Sequence, residues 1–383
     1  MKGDAIMATI GVGIIGWGFM GKTHAQALRS LPLFYPGAGF EVALRGVCAR
    51  HIENARDAAG ALGIDFYTDD YRRLLARDDI DVVSVCTPND QHEEMAIAAL
   101  RAGKHLYIDK PLAVTADSAE RIAGAAARAP GFTRVVFNNR YLPATLRAKE
   151  LVEAGKIGDV LTFNARYLHS GSIDPDKPIG WKQGEQGGVL LDLGSHALDL
   201  LTWLVGMPRR VLCRTFTLYG ERPAPGGGVV RALSEDHAQM LLELPGGAVG
   251  GVEASKIATG SNDELTIEVR GKRGALRWSS MDINYLYFYD NTLPEALYGG
   301  PRGFTQIESV GRYPAPGGKF LPPKNSVGWE RGHLHCYYTF LDAVARGQRP
   351  AEGGVVEGAR LQRLMEALKR SDADGAWKEV VDD

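Results

Sequence analysis

"TIGVGIIGWGFMGKTH", residues 9–24, sets an apolar run directly before Gly16, Gly18 and Gly21. The run reads as a buried strand, and the spacing G-x-G-x-x-G after it marks a tight strand-to-helix turn. In such a turn the first glycine permits the bend, the second leaves room for a pyrophosphate, and the third lets the helix pack closely. Amides at the helix N-terminus then face the phosphates. Alone the motif is weak, and a purely structural turn is the competing reading. The residues after it add weight. From residue 10 to about 140, β-rich runs alternate with helical segments: "VALRGVC" precedes "ENARDAAGALG", "DVVSVC" precedes "EEMAIAALRAGK", and "HLYI" and "RVVFN" continue the series. Strands that are apolar throughout belong to a parallel sheet covered on both faces.

After about residue 158 the pattern changes. "VLTFNARYL", "RVLCRTFTL", "ELTIEVRGKRGALRWS" and "INYLYFY" read as strands, joined by Pro-Gly-Gly and Gly-Lys-Arg-Gly turns that signal antiparallel hairpins. "ERPAPGGG" and residues 291–328 read as long loops, and helices close the chain near 330–346 and 355–369. The expected fold is α/β: a dinucleotide-binding domain with a parallel sheet over residues 8–140, then a second domain with a mostly antiparallel sheet over residues 141–383.

Composition narrows the class. At 383 residues, with 45% hydrophobic and 23% charged residues and a net charge of -2, the chain lacks the basic excess that nucleic acid or an anionic membrane would favour. Cys48, Cys86, Cys213 and Cys336 lie too far apart for a zinc site or a disulfide framework, which fits a reducing cytoplasm, and no metal site is expected. "IMATIGVGIIGWG" reads as the first strand rather than a signal sequence, and no apolar stretch reaches the roughly 20 residues that span a bilayer.

Four further stretches carry chemistry. The second strand ends in Cys48-Ala49-Arg50-His51, where an acidic residue would accept the adenosine ribose hydroxyls. With Arg50 there instead, NADP is expected at least as readily as NAD, unless Arg50 is only solvated. "CTPNDQH" (86–92) and "IDKPLA" (108–113) follow the next strands, so Thr87-Pro88-Asn89 would shape the loop beneath the nicotinamide ribose and Lys110, held out of helical geometry by Pro111, would stand near the cofactor. In "GGVLLDLGSHALDLLTWLVG" (187–206), Asp192, His196 and Asp199 fall at i, i+4 and i+7, one stripe of a 3.6-residue helix otherwise rich in leucine. Buried charge is costly unless paired or used, so the stripe suggests a site. Asp192 as a helix N-cap and His196 as a core histidine form the bland alternative.

Taken in order, G-W-G-F-M-G-K-T-H, T-P-N-D-Q-H, G-K-H-L-Y-I-D-K-P and G-G-V-L-L-D-L-G-S-H-A-L-D resemble the Gfo/Idh/MocA oxidoreductases over essentially the whole chain. Asp109-Lys110-Pro111 stands where Glu-Lys-Pro is more usual, and the acidic residue after the second strand is missing. The resemblance implies an NAD(P)-dependent enzyme that interconverts a secondary alcohol and a ketone on a sugar, anhydrosugar or cyclitol. It implies an N-terminal Rossmann domain and a C-terminal α+β domain with an open, mostly antiparallel sheet, and a homodimer or homotetramer formed through that sheet. It makes Lys110, Asp192 and His196 catalytic and assigns the cofactor to Gly16, Gly18, Phe19, Met20, Gly21, Ala49, Arg50, Thr87, Pro88, Asn89, His92, Asp109 and Lys110. "FNNRYLPA", "YLHSGSIDPDKPIGW" and "HLHCYYTF" look most like the levoglucosan and inositol dehydrogenase branches, which places Arg140, Tyr167, Asp174, Trp181 and His335 in the sugar pocket with Asp192 and His196.

In the expected mechanism His196 takes the hydroxyl proton, Asp192 orients the ring or binds a neighbouring hydroxyl, and Lys110 stabilises alkoxide charge, in a cleft between the domains. Two other readings use the same fold: a redox glycosidase with tightly held NAD, and a non-catalytic dinucleotide-binding regulator.

Overall fold

The apolar run before the glycines is a strand, β1 (Ala8–Ile15), with Val12 and Ile14 wholly buried. In the computed structural model, which describes residues 8–180, 182, 184 and 186–380, the alternating segments after it build a parallel sheet. Its strands are β1, β2 (Phe40–Cys48), β3 (Tyr67–Thr68), β4 (Val82–Val85), β5 (His105–Asp109) and β6 (Thr133–Val136), in the order β3-β2-β1-β4-β5-β6. The crossovers carry α1 (Phe19–Phe34), α2 (Ile52–Leu62), α3 (Tyr71–Leu75), α4 (His92–Arg101) and α5 (Ala116–Ala126). Helices on both faces explain why all four residues of β4 are buried, whichever way they point. The order reverses between β1 and β4, so the carboxyl ends of those strands flank the crevice where such sheets take ligands.

The second sheet obeys the other period. After α6 (Pro143–Glu153), nine strands lie in the order β16-β15-β14-β13-β7-β12-β11-β8-β17. They are β7 (Val160–Leu168), β8 (Arg210–Phe216), β11 (His237–Glu243), β12 (Val249–Ser255), β13 (Glu264–Gly271), β14 (Gly274–Ser279), β15 (Tyr285–Asp290), β16 (Phe304–Glu308) and β17 (Lys378–Glu379). Neighbours are antiparallel except β7 and β12, which run parallel. Every second residue points inward: Phe163 and Ala165 on β7, Val252 and Ala254 on β12, Leu265 and Ile267 on β13. Helix α7 (Ser195–Val205) lays Leu198, Leu200, Leu201 and Leu204 into this unit's core.

Two stretches that read as loops contain pairing. β9 (Glu221–Pro223) and β10 (Val229–Arg231) form a hairpin across "ERPAPGGG", and β16 lies inside residues 291–328. Both are short and mostly exposed, flanked by Gly and Pro, so no hydrophobic period announces them.

The chain divides into one unit of Met1–Tyr141 with Gly311–Ala359 and another of Leu142–Val310 with Arg360–Asp383. The sequence pattern assigns all of 311–359 to the second domain, and the structure corrects this. What ties this segment to the first unit is aromatic packing between residues roughly two to three hundred positions apart, which no local pattern records. Helix α8 (Glu330–Ala345) stacks Tyr338 on Tyr35 at 3.9 Å and Tyr337 on Tyr107 at 3.8 Å, and the Tyr337 hydroxyl donates to Ser84 Oγ at 2.8 Å. The last helix, α9 (Val355–Asp374), runs five residues beyond the expected end at 369.

This core holds two histidines neutral. Burial drops His24 to about 4, opposed by the Asp109 charge, and drops His335 to about 3, with Arg331 and Arg134 adding to the effect. Unfolding returns each to the ordinary value near 6.5, so the stability they confer is full above that pH and drains as pH falls toward the folded values. Thermal unfolding followed from about pH 7.5 to about pH 4.5 is therefore expected to show a Tm that falls below about pH 6.5, with a shallower fall in His335→Gln. A Tm flat across that range would contradict the assignment.

Candidate functional site

In the first unit the glycine turn divides its labour. A Cβ on Gly16, whose φ is +100°, would stand 2.5 Å from the Cys86 carbonyl oxygen, and one on Gly21 would stand 2.1 Å from the Gly16 carbonyl oxygen. Nothing lies within 4 Å of where a Cβ on Gly18 would project. Two glycines thus exist for packing and the middle one is the open approach. Gly18 is also the N-cap of α1, which has no side-chain cap and no acidic residue in its first turn, leaving the helix dipole and amides to an incoming anion. These features fit a dinucleotide pyrophosphate. Phe19 is exposed beside them, Met20 half-buried.

At the end of β2, Ala49 is buried, its amide donating to the Thr68 carbonyl, while Arg50 is exposed. Negative charge is nonetheless near: the Cys48 thiol is pushed up to about 12, first by burial and then by Asp70 and Asp69 at the end of β3. These two carboxylates follow β3 in the sequence and not β2.

His92 needs a correction. Its Nδ1 lies 3.0 Å from the Pro111 carbonyl oxygen and its Nε2 3.0 Å from that of Thr87, with the ring wholly buried. It ties the loop after β4 to the loop after β5 and so positions Thr87, Pro88, the buried Asn89 and Lys110, rather than offering a nitrogen to a cofactor. Asp109 is buried beneath these loops and Lys110 is half-buried.

His335 is corrected as well. Its Nδ1 pairs with the Tyr35 hydroxyl at 2.8 Å and its ring lies among Tyr141, Tyr313 and Tyr338, so it is a core histidine. Arg140 is buried too and pairs with Glu357 at 2.8 Å. The site-like histidine of "HLHCYYTF" is the first one, His333. Two residues along a helix is about 200° of rotation, so the two rings face different surroundings. Among the described residues, both His333 ring nitrogens are buried without a hydrogen-bond partner, as is His24 Nε2, and the two rings are 5.9 Å apart. Burial holds His333 well below the ordinary histidine value, the nearby Lys110 charge deepens the effect, and the neighbouring His24 ring disfavours a second charge beside it. Trp329 packs edge-on against His333 and stacks on Phe19 of the glycine turn. Buried polar atoms left without partners near Lys110 are what a polar ligand would satisfy.

In the second unit Asp192 is not on a regular helix. Residues Leu190–Gly194 form a π turn, a widened loop of helix enriched at functional sites, before α7 begins at Ser195. Asp192 is therefore not the N-cap, which is Gly194, and its amide donates to the Gly188 carbonyl. The turn is built on Glu235, whose Oε1 accepts from the Leu190 amide at 2.9 Å and whose carbonyl accepts from Val189 at 3.0 Å. Only glycine fits at 188, where φ is +101° and a Cβ would lie 2.4 Å from Glu235 Oε1.

The Asp192 carboxylate meets two ammonium groups. Lys182 Nζ is 2.8 Å from Oδ1 and 3.0 Å from Oδ2, and Lys256 Nζ is 3.2 Å from Oδ2. Tyr167, near the end of β7, and His169, just after it, stand near this carboxylate, and the Tyr167 ring is 5.6 Å from that of His196. Burial first, then the charges of Asp263 and Asp192, raise the Tyr167 phenol. Burial lowers His169, whose Nδ1 accepts from the Gly171 amide at 2.9 Å. The structure thus brings Tyr167, Asp192 and His196 together. Asp174 is exposed, its Oδ1 accepting from the Asp176 amide, while its carbonyl accepts from the buried Arg222. Asp199 is buried on α7, and Trp181 lies outside the described residues.

Lys256 and His169 are absent from the candidates that the sequence suggests, although a signal for Lys256 exists. It continues the inward series Gly250, Val252, Ala254 of the strand, so a charge stands where the period calls for an apolar residue.

The model of an oxidoreductase family with an NAD-binding Rossmann fold matches residues 10–137, and that of the GFO/IDH/MocA C-terminal domain matches residues 145–277. The chain belongs to the Gfo/Idh/MocA oxidoreductases. It is 30% identical to the levoglucosan dehydrogenase of Pseudarthrobacter phenanthrenivorans over 98% of its own length and 99% of that protein's. A levoglucosan dehydrogenase solved with NADH and levoglucosan superposes with a TM-score of 0.92 at 30% identity, covering 98% of this chain and 100% of that one. An oxidoreductase domain protein from Kribbella flavida gives 0.93 at 36% identity over the same shares. Among the described residues no helix is long and apolar enough to cross a membrane.

Because the π turn depends on Gly188 and Glu235, Gly188→Ala is expected to cost about 1–3 kcal/mol and to lower turnover with it, read from Tm and steady-state rates. A variant with the parent Tm and rate would show that the turn tolerates a Cβ.

Proposed function

We propose that this oxidoreductase interconverts a secondary alcohol and a ketone on an uncharged sugar ring, with an anhydrosugar of the levoglucosan type as the foremost substrate. The observation that carries the reading is the full-length likeness to a levoglucosan dehydrogenase, at a TM-score of 0.92. The polar cluster of Tyr167, Asp192 and His196 is consistent with it. When bound, the dinucleotide supplies the hydride acceptor. The chain supplies the rest. His196 removes the hydroxyl proton, since imidazole titrates close to neutral pH. Lys110 donates to the reacting oxygen and stabilises its growing negative charge. Asp192, whose carboxylate pairs with Lys182 and Lys256 in this structure, accepts hydrogen bonds from a neighbouring hydroxyl and fixes the ring.

Arg50, exposed after β2, is the group for a 2′-phosphate, and Asp69 with Asp70 favours the unphosphorylated ribose, so both NADP and NAD are accommodated. Four free cysteines suit a reducing cytoplasm. Exposed Phe216 and Leu241 on the second sheet suit self-association through that sheet as a homodimer or homotetramer.

The test monitors nicotinamide absorbance with levoglucosan, other anhydrosugars, glucosides and inositols against NAD and NADP. Lys110→Ala and His196→Ala are expected to lower turnover on the best substrate about 100-fold or more, with dinucleotide affinity nearly unchanged. Full activity in either variant would remove that residue from the chemistry. Arg50→Ala is expected to weaken NADP more than NAD, measured as Kd for each, and equal losses would show that Arg50 does not read the phosphate.

A further inference from the structure

Two ammonium groups share one carboxylate at Asp192, and they are not equivalent. The Lys182 side chain is 47% exposed, whereas that of Lys256 is 4% exposed. Lys256 is also fixed through its backbone: its amide donates to the Asp236 carbonyl at 2.8 Å and its carbonyl accepts from Ser172 at 2.9 Å. Its Nζ lies 3.4 Å from the Gly188 carbonyl oxygen, so it reaches the π turn as well as the carboxylate. An exposed lysine on a carboxylate exchanges readily with water or a ligand. A buried one has no solvent to leave for, and removing it strands a charge.

We propose that Lys256 is the fixed counter-ion that keeps Asp192 ionised and aimed, while Lys182 yields its place on the same carboxylate to a substrate hydroxyl. The inference rests on the reading of Asp192 as a substrate-binding and catalytic group, and it makes Lys256 a positioning residue. An ionised carboxylate can only accept hydrogen bonds, so the pair dictates that Asp192 recognises a hydroxyl as donor and leaves proton removal to His196. Other charges around the pair act in both directions. Tyr167 and His169 from β7 feel Asp192, Glu235 and Lys182 act on Lys256, Asp263 acts on Tyr167 and His169, and His196 lies beyond Tyr167. Burial pulls Lys256 below the ordinary lysine value, and Asp192 pulls it back.

The experiment is the pH dependence of kcat/KM for the parent enzyme, Lys256→Met, Lys256→Arg, Lys182→Met and Asp192→Asn, using levoglucosan or whichever panel member is turned over fastest. Tm and dinucleotide Kd are measured alongside. Lys256→Met is expected to move the acidic limb up by about one to two pH units, lose about tenfold or more below neutrality and recover toward alkaline pH. Lys256→Arg is expected to restore the limb, and Lys182→Met to keep it within about half a unit. A folded Lys256→Met with the parent limb would overturn the proposal. So would a Lys182→Met limb displaced by a unit or more, a result that stands even if Lys256→Met does not fold. Parent rates in Asp192→Asn would instead bring down the reading of Asp192 on which the proposal rests.

Discussion

A carboxylate enclosed by protein is tolerated only when its charge is answered, and in the second unit the answer to Asp192 organises everything around it. Lys256 occupies an inward position at the end of β12, next to the parallel strand β7 that delivers Tyr167 and His169 to the same end of the sheet. Glu235 holds the π turn that presents Asp192, and Gly188 leaves Glu235 the space to do so. The leucines of α7 then fix His196 one turn further on. Remove the pairing and the turn, the glycine and the inward lysine lose their reason together.

The first unit is governed by a complementary constraint. There the N-terminus of α1 has no side-chain cap and no acidic residue in its first turn, and Gly18 keeps the approach to its positive end open among the described residues. His92 links the two loops that border this region, and α8 covers the aromatic interior beneath them. His333 and His24 are held neutral by burial; among the described residues both His333 ring nitrogens and His24 Nε2 have no partner, while His24 Nδ1 pairs with Ser84 Oγ.

Much of this is legible in the residues. The alternation of apolar runs and helices marks the parallel sheet, and period-two runs with Gly-rich turns mark the second sheet. Asp192 and His196 stand out because charge in a leucine-rich helix needs a cause. What cannot be read depends on contacts distant in sequence. The π turn at Leu190–Gly194 is set by Glu235, some 45 residues away, and the membership of α8 in the first unit by Tyr35 and Tyr107. His335 draws attention as a histidine in an apolar helix, yet only its Tyr35 bond distinguishes it from His333. Lys256 is different: its parity is in the sequence, and it is easily passed over because lysines at strand ends usually reach solvent.

The roles proposed for Lys110, Asp192 and His196 serve one step, the transfer of hydride from a sugar carbinol. The most direct measurement incubates levoglucosan deuterated at its ring carbinol carbons with NAD or NADP and weighs the dinucleotide by mass spectrometry. Hydride transfer yields reduced dinucleotide carrying one deuterium from the sugar, in step with formation of the ketone. Sugar consumed while the dinucleotide ends unlabelled and oxidised, or sugar recovered unchanged with either cofactor, would contradict it.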